Sequence, residues 1–202
     1  MTIYLIRHAS TEWNENKLWQ GRKDLPLSDR GVEEAKALAL RFASVDLDAV
    51  FSSPLTRALR TAEEIASVHG LEVRVIEDLK EADFSRWEGR PGERIKEEDR
   101  EVYELWSSDP DAVIDGIEPV GSVHERALRV FEEISSFPGE EIAVVTHAMV
   151  LRMMVCHVLG MPLNSFRRFA LSNTSVTTVS VNENGMWLVG LNDTSHLGRW
   201  GL

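Results

Sequence analysis

The chain has 202 residues, of which 43% are hydrophobic and 27% charged, and its formal net charge at pH 7 is -11. These values are typical of one globular domain with a sizeable core, and they exclude a disordered chain. The acidic balance argues against binding to nucleic acid or to anionic membranes, because the sequence contains no basic stripe that could neutralise phosphates.

Targeting signals and disulfides are not predicted. No apolar run approaches the roughly 20 residues that span a bilayer, and a strand-like segment begins at Thr2 with no signal-peptide pattern before it. We therefore expect a cytoplasmic protein. The single cysteine, Cys156, lies in an apolar stretch, which indicates a buried hydrophobic residue. The sequence does not define the oligomeric state and is compatible with a homodimer.

Strands and helices alternate in the first half of the chain. The predicted elements are a strand at 2–6, a helix capped by Ser28, a strand at 48–52, a helix from Ser53-Pro54 to about His69, and a strand at 72–76. Apolar residues at helical spacing mark the buried face of the first helix, namely Val32, Ala35, Leu38, Ala39 and Phe42.

The second half continues this pattern and then changes. A capping-box pattern at Ser122 predicts a helix, which is followed by a strand at 142–146 and a helix over 149–159. Strands at 174–181 and 186–191 form a hairpin through Asn184-Gly185. The alternation predicts an α/β fold with a mainly parallel sheet, helices on both faces and a C-terminal hairpin, in a single domain spanning 1–202.

One long segment, residues 79–121, does not fit the alternation. It is acidic, rich in Gly and Pro, and carries Phe84, Trp87, Tyr103 and Trp106. Connections of this length cover a site or are partly mobile. We interpret the segment as an inserted cap. Its aromatic residues, together with Trp19, are expected either to line an apolar wall of a site or to pack the cap itself.

Polar residues follow three of the predicted strands. Arg7 and His8 follow the first strand, a helix start containing Arg57 follows the second, and His147 follows the fourth. In open α/β sheets, ligands bind outside the carboxyl ends of the strands. Arginine side chains and helix N-termini both bind phosphate oxygens. The sequence therefore predicts a phosphate site at this edge of the sheet.

Phosphoryl transfer at such a site requires a nucleophile and a proton donor for the leaving oxygen. A neutral imidazole is a competent nucleophile, and cationic neighbours such as Arg7 and Arg57 favour its neutral form. Other chemistries lack their motifs. There is no Walker A sequence, Cys156 has Pro162 instead of an arginine six residues later, and no motif predicts a metal. We expect no metal or other cofactor.

Five segments resemble the histidine phosphatase superfamily, in the branch that contains cofactor-dependent phosphoglycerate mutases and small phosphatases such as α-ribazole phosphatase. They are "LIRHASTEWN", "QGRKDLPLSDRG", "FSSPLTRALRTAEEIA", "LKEADFSRWEG" and "VTHAMVLR". The resemblance implies a three-layer α/β/α sandwich. It also implies that His8 forms a phosphohistidine, that Arg7, Arg57 and His147 hold the phosphoryl oxygens, and that Glu81 protonates the leaving group and then activates water.

The same resemblance implies a set of substrate-binding positions. Asn14 and Gly21 match positions where the family lines the phosphate pocket, and Gln20 flanks them. Ala148 follows the second histidine, where the family usually has glycine, and retains the backbone N–H that would contact phosphate. The expected ligand is a small phosphate ester.

The sequence is compatible with three functions. The short cap favours a phosphatase that hydrolyses small phosphate esters, with α-ribazole 5'-phosphate and sugar phosphates as candidate substrates. Four basic cap residues keep a cofactor-dependent phosphoglycerate mutase open, because they could supply a second anion site: Arg86, Arg90, Arg94 and Lys96. A non-catalytic phospholigand-binding module is the third option, although both His8 and Glu81 are present.

Overall fold

One mixed six-stranded sheet forms the centre of the molecule. The structure, a computed structural model, describes residues 1–200 and the side chains of residues 1–198, so positions 201 and 202 of the predicted domain lie outside the described residues. The strands are β1 (Thr2–Arg7), β2 (Ala49–Ser52), β3 (Val73–Val75), β4 (Glu141–Thr146), β5 (Val176–Asn182) and β6 (Gly185–Asp193), in the spatial order β3-β2-β4-β1-β5-β6. The first four strands are parallel, and β5 and β6 form the antiparallel hairpin. The predicted fold class is confirmed.

Seven α-helices surround the sheet within residues 1–200. They are α1 (Glu12–Glu15), α2 (Asp29–Phe42), α3 (Thr56–Ser67), α4 (Gly92–Glu98), α5 (Arg100–Ser108), α6 (Val120–Ser135) and α7 (Ala148–Val158). Short 3-10 turns lie at Glu77–Leu79, Leu163–Ser165 and Ser195–Trp200. Within the described residues, no helix is both long enough and apolar enough to cross a membrane.

Side-chain alternation in β4 separates the core into two layers. Ile142 and Val144 face a large cluster that includes α6, α7 and the cap, whereas Ala143 and Val145 face a smaller cluster with α2 and α3. Strand residues i and i+2 share a face, so β4, which is buried from Ile142 onward, contributes to both layers. Helices therefore cover both faces, as a three-layer sandwich requires.

The structure differs from the predictions at the ends of some elements and on one face of α2. Helix α3 begins at Thr56 after Leu55, two residues later than predicted, and α6 begins at Val120 after Pro119 with no side-chain cap. Ser122 therefore lies inside the first turn of α6 and is not its N-cap. Val32 is 36% exposed and does not share the buried face of α2. Thr174 has a φ of 53°, so β5 starts after it.

The cap segment packs into the larger core cluster, where its aromatic side chains make edge-to-face contacts with Trp19. Trp19 lies 4.9 Å from Phe84, 5.0 Å from Trp87 and 5.5 Å from Trp106, measured between ring centroids. The Trp87 Nε1–H donates to Asp99 Oδ2 at 2.8 Å. Such T-shaped pairs are favourable beyond the area that they bury. The segment thus contains two helices, α4 and α5, anchored on a buried aromatic cluster.

A charged clamp fixes the chain just before Glu81. Arg126 on α6 donates to both carboxylate oxygens of Glu118, at 2.9 and 3.1 Å. Its third nitrogen donates to the carbonyls of Asp78 and Lys80, each at 2.6 Å. The side chains of Arg126 and Glu118 are only 8% and 14% exposed. The clamp holds the turn that leads to Glu81 against α6.

Loss of this clamp should destabilise the fold. Arg126→Gln leaves two carbonyls without their cationic donor and the Glu118 carboxylate with only the partly exposed Arg22, so we expect the free energy of unfolding to fall by about 2–3 kcal/mol. Urea denaturation measures the change. Arg129→Gln on the same helix is the matched control, because Arg129 is 63% exposed in its pair with Asp78 and should alter stability by less than about 0.5 kcal/mol. Equal effects of the two substitutions would contradict the clamp.

Candidate active site

The carboxyl ends of three adjacent parallel strands bring the predicted site residues together. Arg7 pairs with Thr146 between β1 and β4, and Ser52 pairs with Val145 between β2 and β4. The residues that follow these strands therefore emerge at one level. The rings of His8 and His147 lie 5.1 Å apart between centroids. The predicted convergence at this sheet edge is confirmed.

His8 is buried and held in one tautomer. Its Nδ1 lies 2.8 Å from the carbonyl oxygen of Ala9, which can only accept, so Nδ1 carries the proton. Its Nε2 is therefore a lone-pair acceptor and receives the Arg57 Nε–H at 3.3 Å. Burial, and secondarily the charges of Arg57 and Arg7, hold the pKa of His8 well below its usual value. His8 is thus a neutral imidazole with Nε2 facing the site.

His147 is fully buried beside His8. Its Nε2 lies 2.8 Å from Ser53 Oγ, and that hydroxyl already accepts the Leu55 N–H at 3.3 Å. The hydroxyl can then donate to Nε2, an arrangement that places the proton of His147 on Nδ1, which is buried without a partner. Burial, followed by the nearby charge of Arg57, lowers the pKa of His147 well below its usual value. His147 is therefore also neutral and retains an unused donor.

Arg57 and Arg7 bring positive charge to the site at the cost of burial. Arg57 is fully buried and donates to the carbonyls of Lys23 and Gly21, each at 2.8 Å. Arg7 donates to the Leu171 carbonyl at 2.7 Å, and its Nε is buried without a partner. Burial lowers the pKa of Arg7 to about 10, so it stays protonated at neutral pH. These guanidinium groups are oriented by backbone carbonyls and keep N–H donors for a ligand.

The Glu81 side chain contacts the first turn of α7. Its Oε1 accepts the Ala82 N–H at 2.9 Å, and the Met149 N–H lies 3.2 and 3.3 Å from its two oxygens. The first N–H groups of a helix have no partner within the helix, so a carboxylate is a favourable acceptor there. The side chain is 9% exposed, and it shares a cavity with His8.

The predicted binding positions line the same cavity. Asn14 Oδ1 accepts the Thr11 N–H at 3.1 Å and the Asn173 Nδ2–H at 3.2 Å. Gln20 is 8% exposed, and its Oε1 has no partner. Gly21 has a φ of 54°, and a Cβ there would lie 2.6 Å from a Glu88 oxygen, so the turn requires glycine.

The cavity has a volume of about 340 Å³ and contains nearly all of the predicted set. It is lined by Arg7, His8, Asn14, Gln20, Gly21, Arg57, Glu81 and Ala148, and also by Lys17, Leu18, Trp19, Phe84, Trp106, Met149 and Arg152. His147 is absent from the lining, although its ring centroid lies 5.1 Å from that of His8. Three of the aromatic residues left open by the sequence thus form an apolar wall, whereas Trp87 and Tyr103 pack the core.

Several contributing residues were missed by the sequence reasoning. Arg152 lies one helical turn after Ala148, and this i,i+4 spacing on a predicted helix could have revealed it. Lys17 follows Asn14 by three residues. Asn173 donates to the His8 carbonyl at 2.9 Å from a distant loop, and no sequence signal marks that contact.

The four basic cap residues do not supply a second anion site in this cavity. Arg86, Arg90, Arg94 and Lys96 are all absent from its lining. Arg86 is instead bidentate to Asp99 at 2.7 and 2.9 Å, and Arg90 pairs with Glu98 at 3.1 Å. Across residues 1–200 no group of three or more His, Cys, Asp or Glu side chains is arranged to hold a metal ion.

Comparison with known proteins places the chain in a family. Residues 3–194 match the model of the histidine phosphatase superfamily (branch 1). Phosphoserine phosphatase 1 of Hydrogenobacter thermophilus is 35% identical over 98% of this chain and 95% of its own length. A probable phosphoglycerate mutase of Cronobacter sakazakii is 32% identical, with coverage of 98% and 95%. The crystal structure of the α-ribazole phosphatase from Shigella flexneri has a TM-score of 0.84 at 31% identity and covers 96% of each chain.

The chain therefore belongs to branch 1 of the histidine phosphatase superfamily, and its predicted classification as a phosphatase of that superfamily is confirmed. These relatives are named for different phosphate esters, so membership defines the type of chemistry and leaves the ester open.

Proposed function

We propose that this protein is a metal-independent phosphomonoesterase that hydrolyses small phosphate esters through a phosphohistidine on His8. The observation that carries the proposal is the hydrogen bond from His8 Nδ1–H to the Ala9 carbonyl, because it leaves Nε2 unprotonated, with a lone pair that accepts only the 3.3 Å hydrogen bond from Arg57 Nε–H. Burial beside Arg57 and Arg7 keeps that nitrogen unprotonated. A neutral, oriented imidazole is prepared for attack on phosphorus.

The first step transfers the phosphoryl group to the enzyme. His8 Nε2 forms a bond to phosphorus as the ester P–O bond breaks, and the leaving oxygen takes a proton from the Glu81 carboxyl group. The imidazole becomes positively charged as it is phosphorylated, and the Ala9 carbonyl stabilises that charge through Nδ1–H. Arg7 and Arg57 line the cavity and stabilise the equatorial oxygens, and the unpartnered His147 Nδ1–H beside His8 is a further donor to them.

The second step returns the enzyme to its starting state. Water attacks phosphorus, and the Glu81 carboxylate takes its proton. The P–N bond breaks, Nε2 regains its lone pair, and inorganic phosphate leaves. Glu81 is thus acid in one step and base in the next, a role that requires access to the cavity occupied by His8.

The alternatives have less support. The basic cap residues that favoured a mutase pair with cap carboxylates or lie outside the cavity. A non-catalytic module has no need of a histidine held in one tautomer in the same cavity as a carboxyl group. For the ester itself, α-ribazole 5'-phosphate and sugar phosphates stay predictions from the sequence.

The first test is phosphate release from 4-nitrophenyl phosphate in excess EDTA. The wild-type protein should remain active in the chelator, and His8→Ala should lower kcat by at least about 1000-fold, because no other group replaces the nucleophile. Circular dichroism and the unfolding midpoint control for folding. Full activity in a folded His8→Ala protein would rule out the assignment of the nucleophile, and loss of activity in EDTA would rule out metal independence.

The second test concerns Glu81. An aryl oxygen leaves with little protonation, whereas an alkyl oxygen needs a proton, so Glu81→Gln should slow phosphoenzyme formation much more for an alkyl ester than for 4-nitrophenyl phosphate. Single-turnover rates separate this step from hydrolysis of the phosphoenzyme. A uniform loss across both esters would point to a positioning role. Asp83→Asn is the neighbouring control, since the Asp83 carboxylate accepts the Ser85 N–H and is absent from the cavity lining.

A further inference from the structure

Thr61 is a polar residue on the buried face of α3. Its side chain has no exposed surface, and its buried neighbours on the helix, Ala58, Ala62 and Ile65, pack in the smaller core cluster. Threonine is a poorer helix former than alanine, and burying a hydroxyl group costs free energy unless the group is hydrogen-bonded. The hydroxyl must therefore find its partners inside the protein. Arg57 lies one helical turn earlier on the same face.

The Thr61 hydroxyl both accepts and donates a hydrogen bond. The Ala9 N–H donates to Thr61 Oγ1 at 3.0 Å, and the Thr61 hydroxyl donates to the Arg57 carbonyl at 2.7 Å. These directions are fixed, because an amide N–H can only donate and a carbonyl can only accept. Thr61 therefore joins the residue that follows the proposed nucleophile to the residue that carries a guanidinium group of the site.

These two contacts complete a ring of hydrogen bonds around His8. The His8 Nδ1–H donates to the Ala9 carbonyl at 2.8 Å, and the Arg57 Nε–H donates to His8 Nε2 at 3.3 Å. The ring closes through the Thr61 hydroxyl, which contacts both Ala9 and Arg57. His8 is 3% exposed and Ala9 0%, so water has almost no access to replace a bond that is lost from the ring.

The ring distinguishes between the two neutral forms of His8. The Ala9 carbonyl accepts only from a protonated Nδ1, and the Arg57 Nε–H donates only to an unprotonated Nε2. In the other tautomer, two N–H groups would face each other at Nε2, and two acceptors would face each other at Nδ1. The Thr61 hydroxyl holds the backbone N–H of Ala9 and so restrains the residue whose carbonyl selects the tautomer.

Thr61 acts through its neighbours and not on the substrate. It does not line the cavity, whereas His8 and Arg57 do. The guanidinium group of Arg57 has further anchors in the carbonyls of Gly21 and Lys23, each at 2.8 Å. Loss of the Thr61 hydroxyl should therefore disturb the imidazole much more than the group proposed to bind phosphate. This difference predicts an effect on the rate of phosphoryl transfer and little effect on the affinity for substrate.

We propose that Thr61 is a positioning residue for phosphoryl transfer, and that its hydroxyl holds His8 in the tautomer with the lone pair on Nε2. This inference rests on the proposed function for the role of His8 as the nucleophile. One oxygen atom contacts both Ala9 and the helix turn that carries Arg57, so the imidazole and its guanidinium partner are held at a fixed separation.

The kinetic test uses two pairs of side chains that differ in the hydroxyl. Valine has nearly the shape of threonine, and alanine is serine without its oxygen. In single turnovers of 4-nitrophenyl phosphate, we expect Thr61→Val to lower the rate of phosphoryl transfer by about tenfold or more, with a Kd for the ester within about twofold of wild type. Thr61→Ala should be slower than Thr61→Ser by a similar factor.

The second readout is the tautomer itself. The NMR chemical shifts of isotope-labelled imidazole nitrogens distinguish a protonated ring nitrogen from an unprotonated one, and the His8 signals are identified by their absence in His8→Ala. We expect wild type and Thr61→Ser to hold the proton on Nδ1, and Thr61→Val to populate the other tautomer as well. A purely structural role would lower stability and leave these shifts unchanged.

Ser135→Ala is the matched control. The Ser135 hydroxyl donates to the Phe131 carbonyl at 2.7 Å, which is the same bond to the preceding helical turn, but on α6 and outside the cavity. Its loss should change neither the transfer rate nor the His8 shifts, and an equal fall in rate would overturn the proposal. Equal rates in Thr61→Ser and Thr61→Ala would also overturn it, and this pair decides the question if Thr61→Val does not fold.

The two proposals fail in distinguishable ways. The tautomer is measured without substrate, so a single, unchanged tautomer in folded Thr61→Val overturns the positioning role whether or not the enzyme turns over. Full activity in a folded His8→Ala protein overturns the phosphohistidine mechanism, and the positioning role then falls with it even where the tautomer depends on Thr61.

Discussion

The hydrogen bond between His8 Nδ1–H and the Ala9 carbonyl is the contact on which the account of this protein depends. At 2.8 Å it sets the tautomer, and the tautomer decides which ring nitrogen carries the lone pair. The adjacent backbone is fixed in turn, because the Ala9 N–H donates to Thr61 Oγ1 at 3.0 Å and the His8 carbonyl accepts from Asn173. The end of β1 is thus tied to α3 and to a distant loop, so the backbone that carries the imidazole is fixed.

Burying the positive charge of Arg57 next to His8 costs free energy. Arg57 has no exposed surface, and burying an ionised group is unfavourable unless hydrogen bonds replace its water. The carbonyls of Lys23 and Gly21 supply those bonds, and the turn that presents them requires glycine at 21. Burial first, and the same charge after it, lowers the pKa values of His8 and His147, so the residues proposed to bind phosphate help to keep the imidazoles neutral. The charge of Arg57 therefore contributes to both the proposed phosphate binding and the proposed activation of the nucleophile.

The sequence predicts the sheet, and the residues that meet at its edge, because both follow from local patterns. Three buried strands end next to polar residues: the first at Arg7-His8, the second near Arg57 and the fourth at Thr146-His147. Parallel pairing brings these three ends to the same edge of the sheet. The sequence does not predict features that depend on contacts between distant segments or on the exact helix start. Pro119 starts α6 before the capping box at Ser122, and Arg126 reaches back to the turn before Glu81. The sequence leaves Arg86, Arg90, Arg94 and Lys96 as candidates for a second anion site, because it shows their charge and not the pairing of Arg86 with Asp99 and of Arg90 with Glu98.

The most direct test of the account is the location of the covalent phosphoryl group. The Glu81→Gln variant should accept a phosphoryl group from 4-nitrophenyl phosphate and then lack the base for hydrolysis, so the phosphoenzyme should accumulate. Quenching in alkali preserves phosphohistidine, and peptide mass spectrometry with NMR of the labelled imidazole identifies the nitrogen. We expect phosphorylation of His8 at Nε2. Phosphorylation at Nδ1, on His147 or on no histidine would contradict it.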